Sequence, residues 1–559
     1  MAEDQVKVIK INWAGLFSPI PGFQCGEGLS NRLEIEREII PIIFVPGIMG
    51  SRLKNQKGGK VWDPDDALFM VDRYGKFSVT AQKRKALVIG EHFDMDYLSV
   101  FEDDAKHNKK FADKEDTGRD KRGWGGVSWS SYGPFLEALQ QRDYTDDVAA
   151  LWSEPIRHCF EFPVHACGYN WTASNGDAGK KLAAYIDEVM ALYVCQGRIC
   201  ERVILVTHSM GGLVARAACV MHGAQSKVLG VVHGVQPAFG APAAYWRMKS
   251  GFERPQGGPT DTIWDWFRNP LKMTKHKVLG TVAAWVLGTD GEEVTSLLGN
   301  MPGGLQLLPN KRYADNQGNT PWLHFDDAQG NPVALPQNDP YEEIYRKQDV
   351  FYRLVDPAWL NPGSPTTTTK KYREKNPWDN YVELLTLAEE FHDQLGTQVH
   401  SQTFQFYSEG LPTAERIEFK REVHAQALDQ DSERSANRGG FRTYVPKSEV
   451  SLPGTAENAL KDTDSAPDIE PDTVFVYTLQ PPQGSGDGTV PVSSAKSLLA
   501  AVRGWAKGTP TVAINDSHES WFDRGHEPIY KTHAGQHIAC AAIENLALLY
   551  IEDHVGPPP

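Results

Sequence analysis

One strand, one sharp turn and one helix, meeting at a single serine, constrain this chain more than any other feature. Arg202-Val203-Ile204-Leu205-Val206 opens a continuous apolar run. Such a run predicts a strand covered on both faces, since a strand with one wet face alternates. Leu213 to His222 has helical spacing. Thr207 to Gly212 must therefore reverse the chain, and Ser209 stands on the turn. Strand and helix crowd each other there, so the residues two before and two after the serine must be small. Gly211 meets that demand, while Thr207, compact but branched, stands where glycine is usual. A serine also occupies such a turn as a helix N-cap. The rest of the sequence weighs against that plainer role.

Strand and helix patterns alternate through the first 250 residues. Ile42-Ile43-Phe44-Val45 reads as a buried strand ending at Pro46-Gly47, and Phe160 to Ala166 as another ending near Gly168. Asp177 to Tyr193 is helical, with Leu182, Ile186, Val189 and Tyr193 on one face. Val228 to Val235 is a further strand. Alternation of this kind predicts an α/β fold with a mostly parallel sheet flanked by helices. The pattern breaks near Trp246, and the chain to about Pro471 is rich in turns, Pro, Gly, Asn and aromatics. Thr366 to Thr369 reads as a linker, and Gln426 to Asp472 is polar. Strands return at Thr473 to Tyr477 and Thr511 to Ile514, and a helix over about Gln536 to Glu552 closes the chain. A chain of 559 residues exceeds one compact core. The division expected is 1–250 for the first part of the core, 251–471 for an inserted cap or lid, and 472–559 for the second part.

Ser209 as a nucleophile needs a base, a carboxylate to orient it, and donors for the oxyanion. In the α/β-hydrolase fold the order along the chain is serine, acid, histidine. Gly486-Asp487-Gly488-Thr489-Val490-Pro491 places Asp487 between glycines that let it approach the sheet edge, with Asp516 as a weaker alternative. The base must lie beyond the last strand. His526, in Arg524-Gly525-His526-Glu527-Pro528, is preferred over His518, His533 and His537. The oxyanion donors expected are the amides of Met210, next to the serine, and Ile48, in the glycine-rich Val45-Pro46-Gly47-Ile48-Met49-Gly50-Ser51. His208 is read as a structural or pocket residue, its side chain directed away from that of Ser209.

Net charge of −15 argues against nucleic-acid binding and against adhesion to anionic membranes by bulk charge. The N-terminus lacks the basic start and apolar run of a secretory leader, and no stretch reaches the length of a membrane span. A protein soluble when made, and exported if at all by a leaderless route, is expected. Seven cysteines form no CxxC pair or zinc pattern. They read as buried free thiols, with one short Cys195–Cys200 bridge as the alternative. Asp63-Pro64-Asp65-Asp66 and Glu102-Asp103-Asp104 match no EF-hand loop and read as solvated acidic turns. No phosphate-binding glycine motif stands out, and neither cofactor nor metal is expected.

Several short segments, in one order along the chain, carry a family resemblance. Phe44 to Leu53 (FVPGIMGSRL) resembles the opening motif of lecithin:cholesterol acyltransferase-like hydrolases. Gly168-Tyr169-Asn170-Trp171 is similar to their tyrosine/tryptophan segment, with Asn170 where Asp is common. Thr207 to Gly212, Phe239-Gly240-Ala241-Pro242, Pro302 to Pro309 and the setting of Asp487 look like theirs too. The same motifs resemble GPI inositol-deacylase-like proteins and bacterial type VI secretion lipase effectors. The resemblance implies a serine lipase or phospholipase working through an acyl-enzyme, with a lipid or phospholipid substrate. A cognate inhibitor (immunity) protein follows as an expected partner. Acyl transfer to an alcohol is the second reading, and a non-catalytic lipid-binding protein the third. The apolar Ile263-Trp264-Asp265-Trp266-Phe267 and Val278 to Leu287, with Arg268, Lys272, Lys275 and Lys277 between them, suit peripheral membrane contact through the cap.

Overall fold

In the computed structural model the described residues are 5–20, 22–23, 29–74, 79–90, 94, 96–102, 119–141, 154–252, 288, 290–363, 376–424, 442–446, 474–498, 511–514 and 525–555. The apolar and basic segment at 263–287, the linker at 366–369, and Asp103, Asp104, Asp516 and His518 lie outside them.

Among the described residues six parallel strands form the central sheet. They are β1 (Ile42–Val45), β2 (Val164–Ala166), β3 (Val203–His208), β4 (Val228–Gly234), β5 (Thr403–Ser408) and β6 (Thr511–Ile514). Their spatial order is β6-β5-β4-β3-β1-β2. Side chains alternate across the sheet, and both sides are dry. Ile43, Val45 and Leu205 join one core with Leu182, Ile186 and Val189 of α2 (Asn175–Cys195) and with α3 (Gly211–Val220). Ile42, Phe44, Ile204 and Val206 join the other, with Phe135, Leu136 and Leu139 of α1 (Trp129–Gln141) and the closing helix α4 (His533–Val555). Two covered faces are what the unbroken apolar strands require.

The chain departs from the expected division in two places. Thr403–Ser408 pairs in parallel with β4, so the central sheet is re-entered inside the segment assigned to the cap. Val474–Leu479, expected back in the central sheet, lies instead in a second sheet between Leu411–His424 and Arg442–Pro446. Polar residues hide β5 from a hydrophobicity reading, because its buried Thr403 and Gln405 each donate to main-chain carbonyls inside the fold. Thr403 Oγ1 donates to the His400 carbonyl at 2.6 Å and Gln405 Nε2 to that of Leu498 at 2.8 Å. The run from Phe160 to Ala166 is also two short strands, Phe160–Glu161 and β2, parted by Phe162 and Pro163.

The first acidic cluster is not a solvated turn. Asp63 is buried against Arg52 at 2.9 Å and Lys60 at 2.8 Å. These cations hold its carboxyl below the usual range against the opposing effect of burial. Asp65 accepts from the amides of Trp129 and Ser130, both at 2.7 Å, at the start of α1. These carboxylates tie early loops together. Cys195 and Cys200 are both free thiols. Among the described residues no helix is long and apolar enough to cross a membrane.

Candidate active site

The turn after β3 is tight because its neighbours are backbone. A methyl group at Gly211 would stand 2.5 Å from the carbonyl oxygens of Val45 and Pro46. Only glycine lets α3 start this close to the loop after β1. Ser209 itself has φ +52°, the left-handed region that non-glycine residues rarely adopt. Its amide is held by the Gly234 carbonyl at 2.9 Å. Thr207 fits where glycine is usual because its hydroxyl has a partner across the sheet, His233 Nδ1 at 2.8 Å, in register on β4.

Gly47 lies so close that a Cβ there would meet Ser209 Cβ at 3.0 Å, so the loop after β1 leans on the serine. Ile48 and Met49 form its turn, closed by the Gly50 amide on the Gly47 carbonyl at 3.0 Å. Tyr169 Oη donates to the Pro46 carbonyl at 3.0 Å and Trp62 Nε1 to that of Met49 at 2.8 Å. Tyr169, singled out within its motif, is thus a brace for this loop.

The acid arrives from the second sheet. Gln483–Gly486 pairs with Leu411–His424 and delivers Asp487 at its end. A Cβ at Gly486 would lie 2.3 Å from the Val490 carbonyl oxygen, and Gly488 has φ +87°, so each flanking glycine has its own reason. Asp487 Oδ1 accepts from the amides of Thr489 at 2.9 Å and Val490 at 2.7 Å. Its other oxygen, Oδ2, is 2.6 Å from His526 Nδ1. His526 Nε2 is 2.7 Å from Ser209 Oγ. The His526 amide donates to the Asp487 carbonyl at 2.9 Å, which fixes one loop on the other.

Ser209, His526 and Asp487 therefore form one continuous chain of hydrogen bonds. Ser209 is 4% exposed and Asp487 2%. This array can move a proton off the serine hydroxyl while the carboxylate steadies the imidazole. His533 and His537 instead start α4 and stack on each other, 6.2 Å between ring centroids. His208 is buried away from the serine hydroxyl, bonded to Tyr132 and to the main chain of His526. Tyr132 escaped the sequence reading because an aromatic on the apolar face of a helix has the signature of any core residue. Among the described residues no group of three or more His, Cys, Asp or Glu could hold a metal ion.

Comparison with known proteins agrees with this architecture. Residues 138–248, which include β2, β3, β4 and Ser209, match the family described as PGAP1-like alpha/beta domain. A chain in the crystal structure of the Tle4-Tli4 complex shares the fold over 92% of this chain and 99% of its own, with TM-score 0.64 and 24% identity. The mature lipase BlEst2 of Bacillus licheniformis aligns over 48% of this chain and 62% of its own, at 16% identity and TM-score 0.15. Phospholipase PlaB of Legionella pneumophila aligns over 66% and 78%, at 11% and 0.18. Neither of these looser superpositions bears on the argument. No curated protein matches the chain. The parallel sheet, its serine turn, the family match over residues 138–248 and the fold shared with a chain of the Tle4-Tli4 complex make the chain an α/β-hydrolase-fold protein with a PGAP1-like α/β segment, similar in fold to Tle4.

Proposed function

We propose that this protein is a serine hydrolase of lipid carboxylic esters, a lipase or phospholipase, working through an acyl-enzyme. The observation that carries the reading is His526, bonded at once to Ser209 Oγ and to Asp487. Ser209 Oγ attacks the ester carbonyl and His526 Nε2 takes its proton. Asp487 stabilises the imidazolium that results. The amides of Ile48 and Met210 hold the oxyanion; among the described residues neither donates a hydrogen bond within the protein. Collapse of the tetrahedral intermediate expels the alcohol, protonated by His526. Water, activated by the same histidine, then frees the acid.

The lipid assignment is supported by the sequence resemblance to lipid-ester hydrolases, and the fold shared with Tle4 supports the scaffold on which it rests. Tle4 was solved in complex with Tli4, and a cognate inhibitor protein is proposed here by analogy, with a role as an exported effector. Residues 251–471 serve as a lid, apart from β5 and the strand Leu411–His424 that pairs beside Asp487, and the apolar, basic sequence at 263–287 suits contact with a bilayer. Burial of Ser209 also favours acyl transfer to an alcohol as the second reading, since excluding water protects an acyl-enzyme.

Mass spectrometry of mixed phospholipid vesicles tests the proposal. Wild type releases fatty acid and lysophospholipid, and Ser209→Ala loses about 10³- to 10⁶-fold in rate. Equal release by the variant would sink it. An added alcohol that appears as an ester product separates transfer from hydrolysis.

A further inference from the structure

His208, beside the nucleophile, is bonded at one ring nitrogen to the main chain of the base and at the other to Tyr132 of α1, which reaches the oxyanion loop. Nε2 lies 2.9 Å from the carbonyl oxygen of His526, and Nδ1 lies 2.9 Å from Tyr132 Oη. Tyr132 Oη in turn accepts the amide of Gly47, in the oxyanion loop, at 3.3 Å.

The direction of each bond follows from chemistry. A carbonyl can only accept, so Nε2 carries a proton. In the neutral ring Nδ1 is then bare and takes the Tyr132 proton, which leaves the tyrosine oxygen to accept from Gly47. Burial, and next the neighbouring His526, holds the His208 pKa down to about 3, so the neutral ring is the resident form. The tautomer is thus set by its partners.

We propose that His208 and Tyr132 form a positioning relay that holds the oxyanion loop and the base in one frame. The proposal rests on the hydrolase reading given above. His526 is then held by four bonds. Its amide is fixed by the Asp487 carbonyl, its own carbonyl by His208, and its two ring nitrogens by Asp487 and Ser209. The relay joins four distant parts of the chain: the oxyanion loop, α1, the serine turn and the loop before α4. Around it the His208 ring lies 5.5 Å from Tyr132, 5.8 Å from Tyr530 and 5.1 Å from His526, centroid to centroid. A purely space-filling residue needs this packing and neither bond. A relay needs both.

The two roles part company in His208→Phe, which keeps a planar ring and loses both bonds. The rate of fluorophosphonate labelling at Ser209, and kcat on a short-chain ester, should fall by about 10- to 100-fold, the scale of a small misplacement of reacting groups. KM should change little. His208→Gln, whose amide can donate toward the His526 carbonyl, should recover part of the rate. Tyr132→Phe should lose less, and the double variant should be no slower than His208→Phe alone, because both break one chain of bonds. Labelling of His208→Phe at the wild-type rate, or losses that multiply in the double variant, would overturn the relay. If His208→Phe does not fold, Tyr132→Phe, one hydroxyl smaller, decides by the same rate. A wild type that fluorophosphonate leaves unlabelled would instead overturn the hydrolase reading, and the relay with it.

Discussion

The two halves of the site are held by different means. The nucleophile half rests on close approach: Gly211 against the Val45 and Pro46 carbonyls, Gly47 against the side chains of His208 and Ser209, and Ser209 at a positive φ. The acid–base half is carried by loops after the second sheet and before α4, joined by hydrogen bonds between Asp487, Thr489, Val490 and His526. A half made of close contacts fails when volume is added. A half made of polar contacts fails when a donor or acceptor is removed.

The largest effect that sharpens this contrast belongs to the polar half. Asp487→Asn keeps the shape and removes the acceptor that fixes the His526 tautomer. A fall in kcat of about 10³- to 10⁴-fold with unchanged melting temperature is expected, the scale seen for that change in serine triads. A loss below tenfold in an esterase assay would show that Asp487 is not the orienting acid.

Two glycines, one on each side of the site, separate crowding from backbone conformation by stability. Gly211→Ala forces a methyl into two carbonyl oxygens, and overpacking of this kind costs about 1–3 kcal/mol. Gly488→Ala meets nothing closer than Leu411 Cδ1 at 4.0 Å, so it bears only the cost of φ +87°. Urea unfolding should rank Gly211→Ala below Gly488→Ala, with Ser209 labelling lost in the first and mostly kept in the second. The reverse order would contradict the account of the nucleophile half.

A further effect, small near neutral pH and growing as pH falls, is a pH dependence shared by the core. His165, His208 and His233 have pKa values held down to about 3, chiefly by burial. Unfolded histidines titrate near about 6.5. Between those values the unfolded chain binds protons that the folded chain refuses. Stability is therefore fully present above about pH 6.5 and is lost progressively as pH falls toward 3. Denaturant midpoints measured from pH 7 to pH 4 should fall steadily. A flat profile would mean that these rings are charged or exposed in the folded state.

What the sequence made legible follows the same division. Ser209 is legible because a strand, a sharp turn and a helix are local, and Gly211 is dictated by that turn alone. Asp487 and His526 were readable as candidates from chain order and from glycines whose separate reasons the structure supplies. Their joining with Ser209 is a long-range fact. Strand β5 is hidden in the sequence because Thr403 and Gln405 are polar yet buried, each donating to a main-chain carbonyl. Val474–Leu479 was misplaced because a strand in the middle of the second sheet is as apolar as one in the central sheet. Asp63 was read as solvated because its partner Arg52 belongs to another motif. Tyr132 and His208 carry no local pattern that separates a relay from core packing.

The most direct test of the central claim is intact-protein and peptide mass spectrometry after brief exposure to a fluorophosphonate, comparing wild type with His526→Ala. One adduct on Ser209 in wild type, lost or slowed by orders of magnitude in the variant, is the predicted result. An unmodified wild type, or equal labelling of both proteins, would contradict the claim that His526 activates Ser209.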